Sequence, residues 1–136
     1  MIKPINIEIS PSGTCNAKCP WCFYRNQHKK EFIRYDKMVS LFLYFNKIGL
    51  KAITWTGGGE PTLHPKFDQL VSLAATYKFK QGLITNGLAK INYDPTKFEW
   101  IRVSVEVRKT CQICCKNHEI NKLVNTAINI KDSDFV

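Results

Sequence analysis

Long apolar runs are missing from this sequence. The most apolar stretch, residues 38–45, falls far short of the ~20 residues that a membrane-spanning helix requires, which argues against a membrane protein. The N-terminus, Met1-Ile2-Lys3-Pro4, leads straight into a polar-alternating segment without the apolar core of a secretory signal. A cytoplasmic location with reduced thiols is therefore expected. Acidic residues are scarce: 11 Asp and Glu stand against 20 Lys and Arg, a formal net charge of +9. That excess suits a solvated basic surface or an anionic partner, either a phosphate-bearing small molecule or nucleic acid. No RNA- or DNA-binding motif accompanies the charge to choose between them. Absent too are the lysine and hydroxyl residue of a phosphate-binding P-loop and the Gly-x-Gly-x-x-Gly of dinucleotide folds. There is no repeat, low-complexity tract or clear linker, and 136 residues suffice for one ordinary domain but not two.

What is present alternates. Residues 5–9 (Ile-Asn-Ile-Glu-Ile) have the period-2 pattern of a strand. Met38, Leu41, Phe42, Phe45 and Ile48 recur at helical spacing, with Gly49 where a helix C-cap belongs. Residues 52–56 read as a second strand. A second helix is predicted from Pro65, with Phe67, Leu70, Val71 and Ala74 along one face. Residues 82–85 form a third strand stopped by Asn86-Gly87, residues 94–98 a short irregular or helical piece, and residues 100–105 a fourth strand. Ile120, Leu123, Val124, Ala127 and Ile128 mark a last helix. Repeated strand, loop and helix predict an α/β fold with a parallel sheet, its helices on one side if the sheet curls and on two if it stays flat. Loops at the C-terminal ends of such strands share one edge, where ligands bind. A cysteine loop, a glycine run and Thr85-Asn86-Gly87 all fall on that edge.

Six cysteines occur in two groups, Cys15, Cys19 and Cys22, then Cys111, Cys114 and Cys115. Grouping of this kind suits metal ligation better than a disulfide framework. Cys15, Cys19 and Cys22 form a Cys-x3-Cys-x2-Cys triplet of soft thiolates, suited to an iron–sulfur cluster or to zinc. Three thiolates on one loop can hold three irons of a cubane and leave the fourth open to an exogenous ligand. Zinc, with His28 or a later cysteine as fourth ligand, is the competing reading. The run Thr56-Gly57-Gly58-Gly59-Glu60-Pro61 lets a ligand approach the backbone closely, or serves only as a tight turn.

The triplet spacing, with Trp21 just before the third cysteine, resembles the radical S-adenosylmethionine (SAM) superfamily, and Gly58-Gly59-Glu60 matches that family's glycine-glycine-glutamate motif. The resemblance implies a partial (β/α) barrel in which about four of the usual six βα units are visible. Residues 1–136 would then be the N-terminal portion of the core domain, in a chain that looks truncated. It further implies a 4Fe–4S cluster on Cys15, Cys19 and Cys22, and SAM bound at the remaining iron. Trp21, Gly58, Gly59, Glu60, Asn86, Ser104 and Glu106 are the expected cofactor contacts. The implied activity is reductive cleavage of SAM to a 5′-deoxyadenosyl radical that abstracts hydrogen from a substrate. A low-potential donor such as flavodoxin or ferredoxin would supply the electron. The substrate class stays open between nucleotide, nucleic acid and peptide. A glycyl-radical activase and a non-catalytic zinc or iron–sulfur module are the rival readings. Cys111, Cys114 and Cys115 are expected to be incidental thiols or a structural site, His64 structural, and His28 and His118 solvent-side.

Overall fold

The computed structural model describes residues 3–104. Strands β1 (Asn6–Ile9), β2 (Ala52–Trp55), β3 (Lys80–Thr85) and β4 (Trp100–Val103) lie in the order β1-β2-β3-β4, every neighbouring pair parallel. Helix α1 (Tyr35–Ile48) connects β1 to β2, and α2 (Phe67–Thr76) connects β2 to β3. Single 3-10 turns at Pro61–Leu63 and Pro95–Lys97 precede α2 and β4. The expected last helix, the continuation of β4 at Val105, Glu106, His118 and the second cysteine group lie outside the described residues. Among those described, no helix is long and apolar enough to cross a membrane.

Both helices cover the same face of the sheet. Trp55 of β2 meets Phe42 of α1 on one side and Phe67 of α2 on the other, edge to face at 6.1 and 5.6 Å. These rings join Met38, Ile53, Leu70, Val71, Ala74 and Leu83 in one buried core. Burial of that much apolar and aromatic surface is the main force holding helices to sheet. In β1, Ile7 and Ile9 point to this core while Asn6 and Glu8 point away, the alternation read from the sequence.

Helix α1 ends at Gly49, whose backbone is left-handed (φ 82°) and whose N–H returns to the Asn46 carbonyl. Only glycine takes that conformation without strain. Helix α2 begins at Phe67, two residues later than Pro65 suggests, because residues 61–63 first make a 3-10 turn capped by the Glu60 carboxylate. Strand β3 begins at Lys80, two residues earlier than expected. Gln81, polar in sequence, is 1% exposed there because Trp55 Nε1 donates to its Oε1 (2.8 Å) and its Nε2 donates to the Val71 carbonyl (3.1 Å). A fully partnered amide is tolerated in a core.

Candidate metal centre

The segment between β1 and α1 is a loop closed at its neck. Ser12 and Phe32 form an isolated antiparallel bridge, and the Ile33 N–H donates to the Pro11 carbonyl (3.0 Å). Gly13 is held from both sides, donating to Glu31 (2.8 Å) and accepting from Lys29 (3.1 Å). Within the loop, turns link Cys22 to Cys19, Arg25 to Cys22 and Gln27 to Tyr24. His64, 3% exposed, fastens the loop's far end. Its Nε2–H donates to the Ile33 carbonyl (2.7 Å) and its Nδ1 accepts from the Lys66 N–H (3.1 Å). Both ring nitrogens are used, so His64 is structural, as expected.

A cleft of about 380 Å³ opens beside this loop at the C-terminal ends of the strands. The loop lends it Cys15, Cys19, Trp21 and Cys22; the glycine run after β2 lends Gly58, Gly59 and Glu60; β3 ends at it with Asn86, and Ser104 follows β4. All the candidate residues within the described range therefore share one cleft. The three cysteines are half-buried thiols outside any disulfide among the described residues. His28, expected at the solvent side, is half-buried and lines the cleft, with Nε2 3.8 Å from Cys22 Sγ. Its Nδ1 is buried without a hydrogen-bond partner among the described residues.

The glycine run passes directly under the cysteine loop. The Glu60 N–H donates to the Thr14 carbonyl (2.8 Å). A side chain at Gly59 would collide with the backbone carbonyls of Ser12 and Thr14, so this position needs glycine for close approach rather than for its dihedrals. The Glu60 carboxylate, 3% exposed, is engaged inside the protein. Its Oε1 accepts from the Thr62 N–H (3.3 Å), the Thr62 hydroxyl (2.7 Å) and the Thr85 hydroxyl (2.6 Å), and its Oε2 from the Asn86 N–H (2.8 Å). Sequence reasoning placed Glu60 in the site but had no signal for this lock, because its partners Thr85, at the end of β3, and Asn86, just after it, are 25 and 26 residues away.

Burial pushes the Cys15 thiol above its ordinary range, opposed by the Ala17 N–H that donates to its sulfur at 3.4 Å. The Glu60 charge also raises it, and Asn86 Nδ2, 3.7 Å from the sulfur, lowers it. Metal coordination would replace that proton. Three soft thiols line one cleft, N–H donors reach the Cys15 sulfur, and backbone glycine borders the open side. This donor set fits a cluster held through Cys15, Cys19 and Cys22. A cubane takes each sulfur at its own iron. Among the described residues no three histidine, cysteine, aspartate or glutamate side chains gather closely enough to hold a single metal ion.

Comparison with known proteins bears on the same residues. A sequence model described as the Radical SAM superfamily matches residues 9–131. An S-adenosylmethionine-dependent nucleotide dehydratase of Thermoplasmatales archaeon (strain ISO4-H5) is 35% identical over 85 residues, covering 62% of this chain and 29% of the relative. A GTP 3′,8-cyclase of Psychromonas ingrahamii is 32% identical over 73 residues, covering 52% of this chain and 21% of the relative. The chain thus spans under a third of the length of these two relatives. Among solved structures, Streptococcus suis SuiB bound to S-adenosylmethionine superposes with a TM-score of 0.60 at 25% identity, over 73% of this chain and 24% of that one.

Proposed function

This chain belongs to the radical SAM superfamily, and from that membership we propose that it supplies the cluster and SAM site of an enzyme that reductively cleaves SAM to start radical chemistry. The fold agrees: a parallel α/β sheet with its helices on one face is the partial barrel of this family. The observation that carries the reading is the convergence of Cys15, Cys19 and Cys22 with Gly58, Gly59 and Asn86 on one cleft at the sheet's C-terminal edge.

Cys15, Cys19 and Cys22 would hold a 4Fe–4S cluster. When bound, that group with SAM supplies reductive cleavage of the sulfonium and, through the 5′-deoxyadenosyl radical, hydrogen abstraction from substrate. The protein's share is placement. The backbone of Gly58 and Gly59 receives the methionyl end of SAM. Ser104, with Glu106 beyond it in sequence, offers polar groups to its carboxylate or ribose. Trp21, half-exposed at the cleft, covers the cofactor. Glu60 contributes through the shape of the loop it fastens, since both its oxygens are engaged by Thr62, Thr85 and Asn86.

For substrate we propose a nucleotide. Two relatives carry nucleotide chemistry in their names, and the net charge of +9 favours a phosphate-bearing molecule. The electron donor in this reading is an acidic carrier of the flavodoxin or ferredoxin type. Lys18, Arg25, Lys29 and Lys30 stand exposed on the cysteine loop, where such a partner would have to come close. A cytoplasmic setting keeps the thiols reduced for cluster assembly.

The test is anaerobic reconstitution of the protein followed by reaction with SAM and dithionite. Formation of 5′-deoxyadenosine, accelerated by a nucleoside triphosphate and not by a peptide, is the expected result. A colourless protein carrying one zinc and yielding no 5′-deoxyadenosine would overturn the proposal.

A further inference from the structure

Asn86 closes the longest-range side-chain contact of the cleft. It follows β3 directly, is 7% exposed, and reaches back across 70 and 71 residues of sequence to the cysteine loop. Its side-chain Nδ2 donates to Asn16 Oδ1 at 2.8 Å and lies 3.7 Å from Cys15 Sγ. Its Oδ1 accepts from the Leu88 N–H at 2.9 Å. That last bond fixes which way round the amide sits, because a flipped amide would set its NH2 against the N–H of Leu88. The Asn86 backbone N–H is taken by Glu60 Oε2. Both protons of the side-chain amide are thereby used inside the protein, and none is left for a cofactor atom.

We infer that Asn86 is a positioning residue for the cluster, acting through Cys15, rather than a SAM contact. The inference rests on the reading that Cys15 is a cluster ligand, and it places Asn86 in a chain that runs from the Glu60 carboxylate through Asn86 to the Cys15 sulfur. Two consequences follow from the chemistry. Asn86 anchors the first cysteine to the end of β3, so that the loop presents its three sulfurs in one arrangement. Its N–H also stabilises charge on the sulfur. Charge there is greater when the cluster is reduced, so the bond favours the reduced state and raises the reduction potential. With the Ala17 N–H on the same sulfur, Cys15 receives two donors.

The test uses Asn86→Ala and Asn86→Ser in the anaerobically reconstituted protein. Serine keeps an acceptor for the Leu88 N–H but is too short to reach Cys15, so it carries the test should the alanine variant fold poorly. A redox titration followed by electron paramagnetic resonance is expected to show a midpoint potential below that of the unsubstituted protein. SAM affinity should stay within about twofold. Resonance Raman should show the terminal iron–cysteine stretching bands moving to higher frequency as the hydrogen bond is lost. An unmoved potential with unmoved stretching bands would overturn the inference, and so would an unmoved potential accompanied by collapsed SAM affinity. Failure of the unsubstituted protein to assemble any cluster would instead overturn the proposed function, so the two failures are told apart.

Discussion

A carboxylate that is 3% exposed and accepts four hydrogen bonds cannot be exchanged for an amide without loss, because the amide nitrogen would face N–H and O–H donors. Glu60→Gln is therefore expected to lower stability by about 2–4 kcal/mol, measured by urea unfolding. Glu60→Asp, one methylene shorter, should also fail to reach Thr85 and Asn86 together. Tyr93 poses the opposite case. Its ring packs edge to face on Phe67 and Phe98, but its hydroxyl is buried with no partner among the described residues. Burial first, and the Glu60 charge second, hold its ionisation above the ordinary tyrosine range. A group raised in this way contributes fully while the unfolded chain keeps its proton. Its contribution is lost as pH rises above about 10, where the unfolded tyrosine ionises and the folded one does not. Tyr93→Phe should leave stability at neutral pH equal or higher by about 1 kcal/mol, and should remove that alkaline loss. Thermal denaturation at pH 7 and above pH 10 reads both effects.

Strands and helices were largely legible because their periodicities of 2 and 3.6 survive in this sequence without interruption. Met38, Phe42, Phe67, Leu70, Val71 and Ala74 are core residues, as the spacing predicts. What the sequence hid was settled by partners far along the chain. Gln81 falls outside the strand expected at residues 82–85, yet it belongs to β3, where Trp55 and Val71 supply its hydrogen bonds. The 3-10 turn at Pro61–Leu63 is too short to leave a period, and it delays α2 past Pro65. The neck of the cysteine loop, Ser12 against Phe32, has no local signature at all. The cysteines, the glycine run and Asn86 were each visible as candidates, whereas the inward placement of His28 depends on the fold of a loop without periodicity. Two substitutions probe this scale. Phe42→Ala removes a fully buried ring of α1 that packs on Trp55 of β2 and on Phe79, and should cost about 3–5 kcal/mol in unfolding experiments. Gly59→Ala forces the glycine run away from Ser12 and Thr14, both backbone contacts that cannot swing aside. Iron incorporation on reconstitution should fall well below that of the unsubstituted protein, while circular dichroism keeps its helical signal.

Across the described residues, the parallel order β1-β2-β3-β4 brings four separate stretches of sequence to one edge, while α1 and α2 pack on one face of the sheet. The sheet sets the scaffold, and the segments after β1, β2, β3 and β4 carry the candidate residues, the arrangement that lets this class of fold serve many reactions. The chain spans 29% and 21% of two curated relatives. The proposed function requires a cluster with one iron free of protein thiolate. Mössbauer spectroscopy of the protein reconstituted with isotopically enriched iron, recorded with and without SAM, tests that point most directly. About four irons per chain are expected, with roughly a quarter of the iron signal shifting when SAM is added. A cluster spectrum that SAM leaves unchanged, or a single zinc in place of iron, would contradict it.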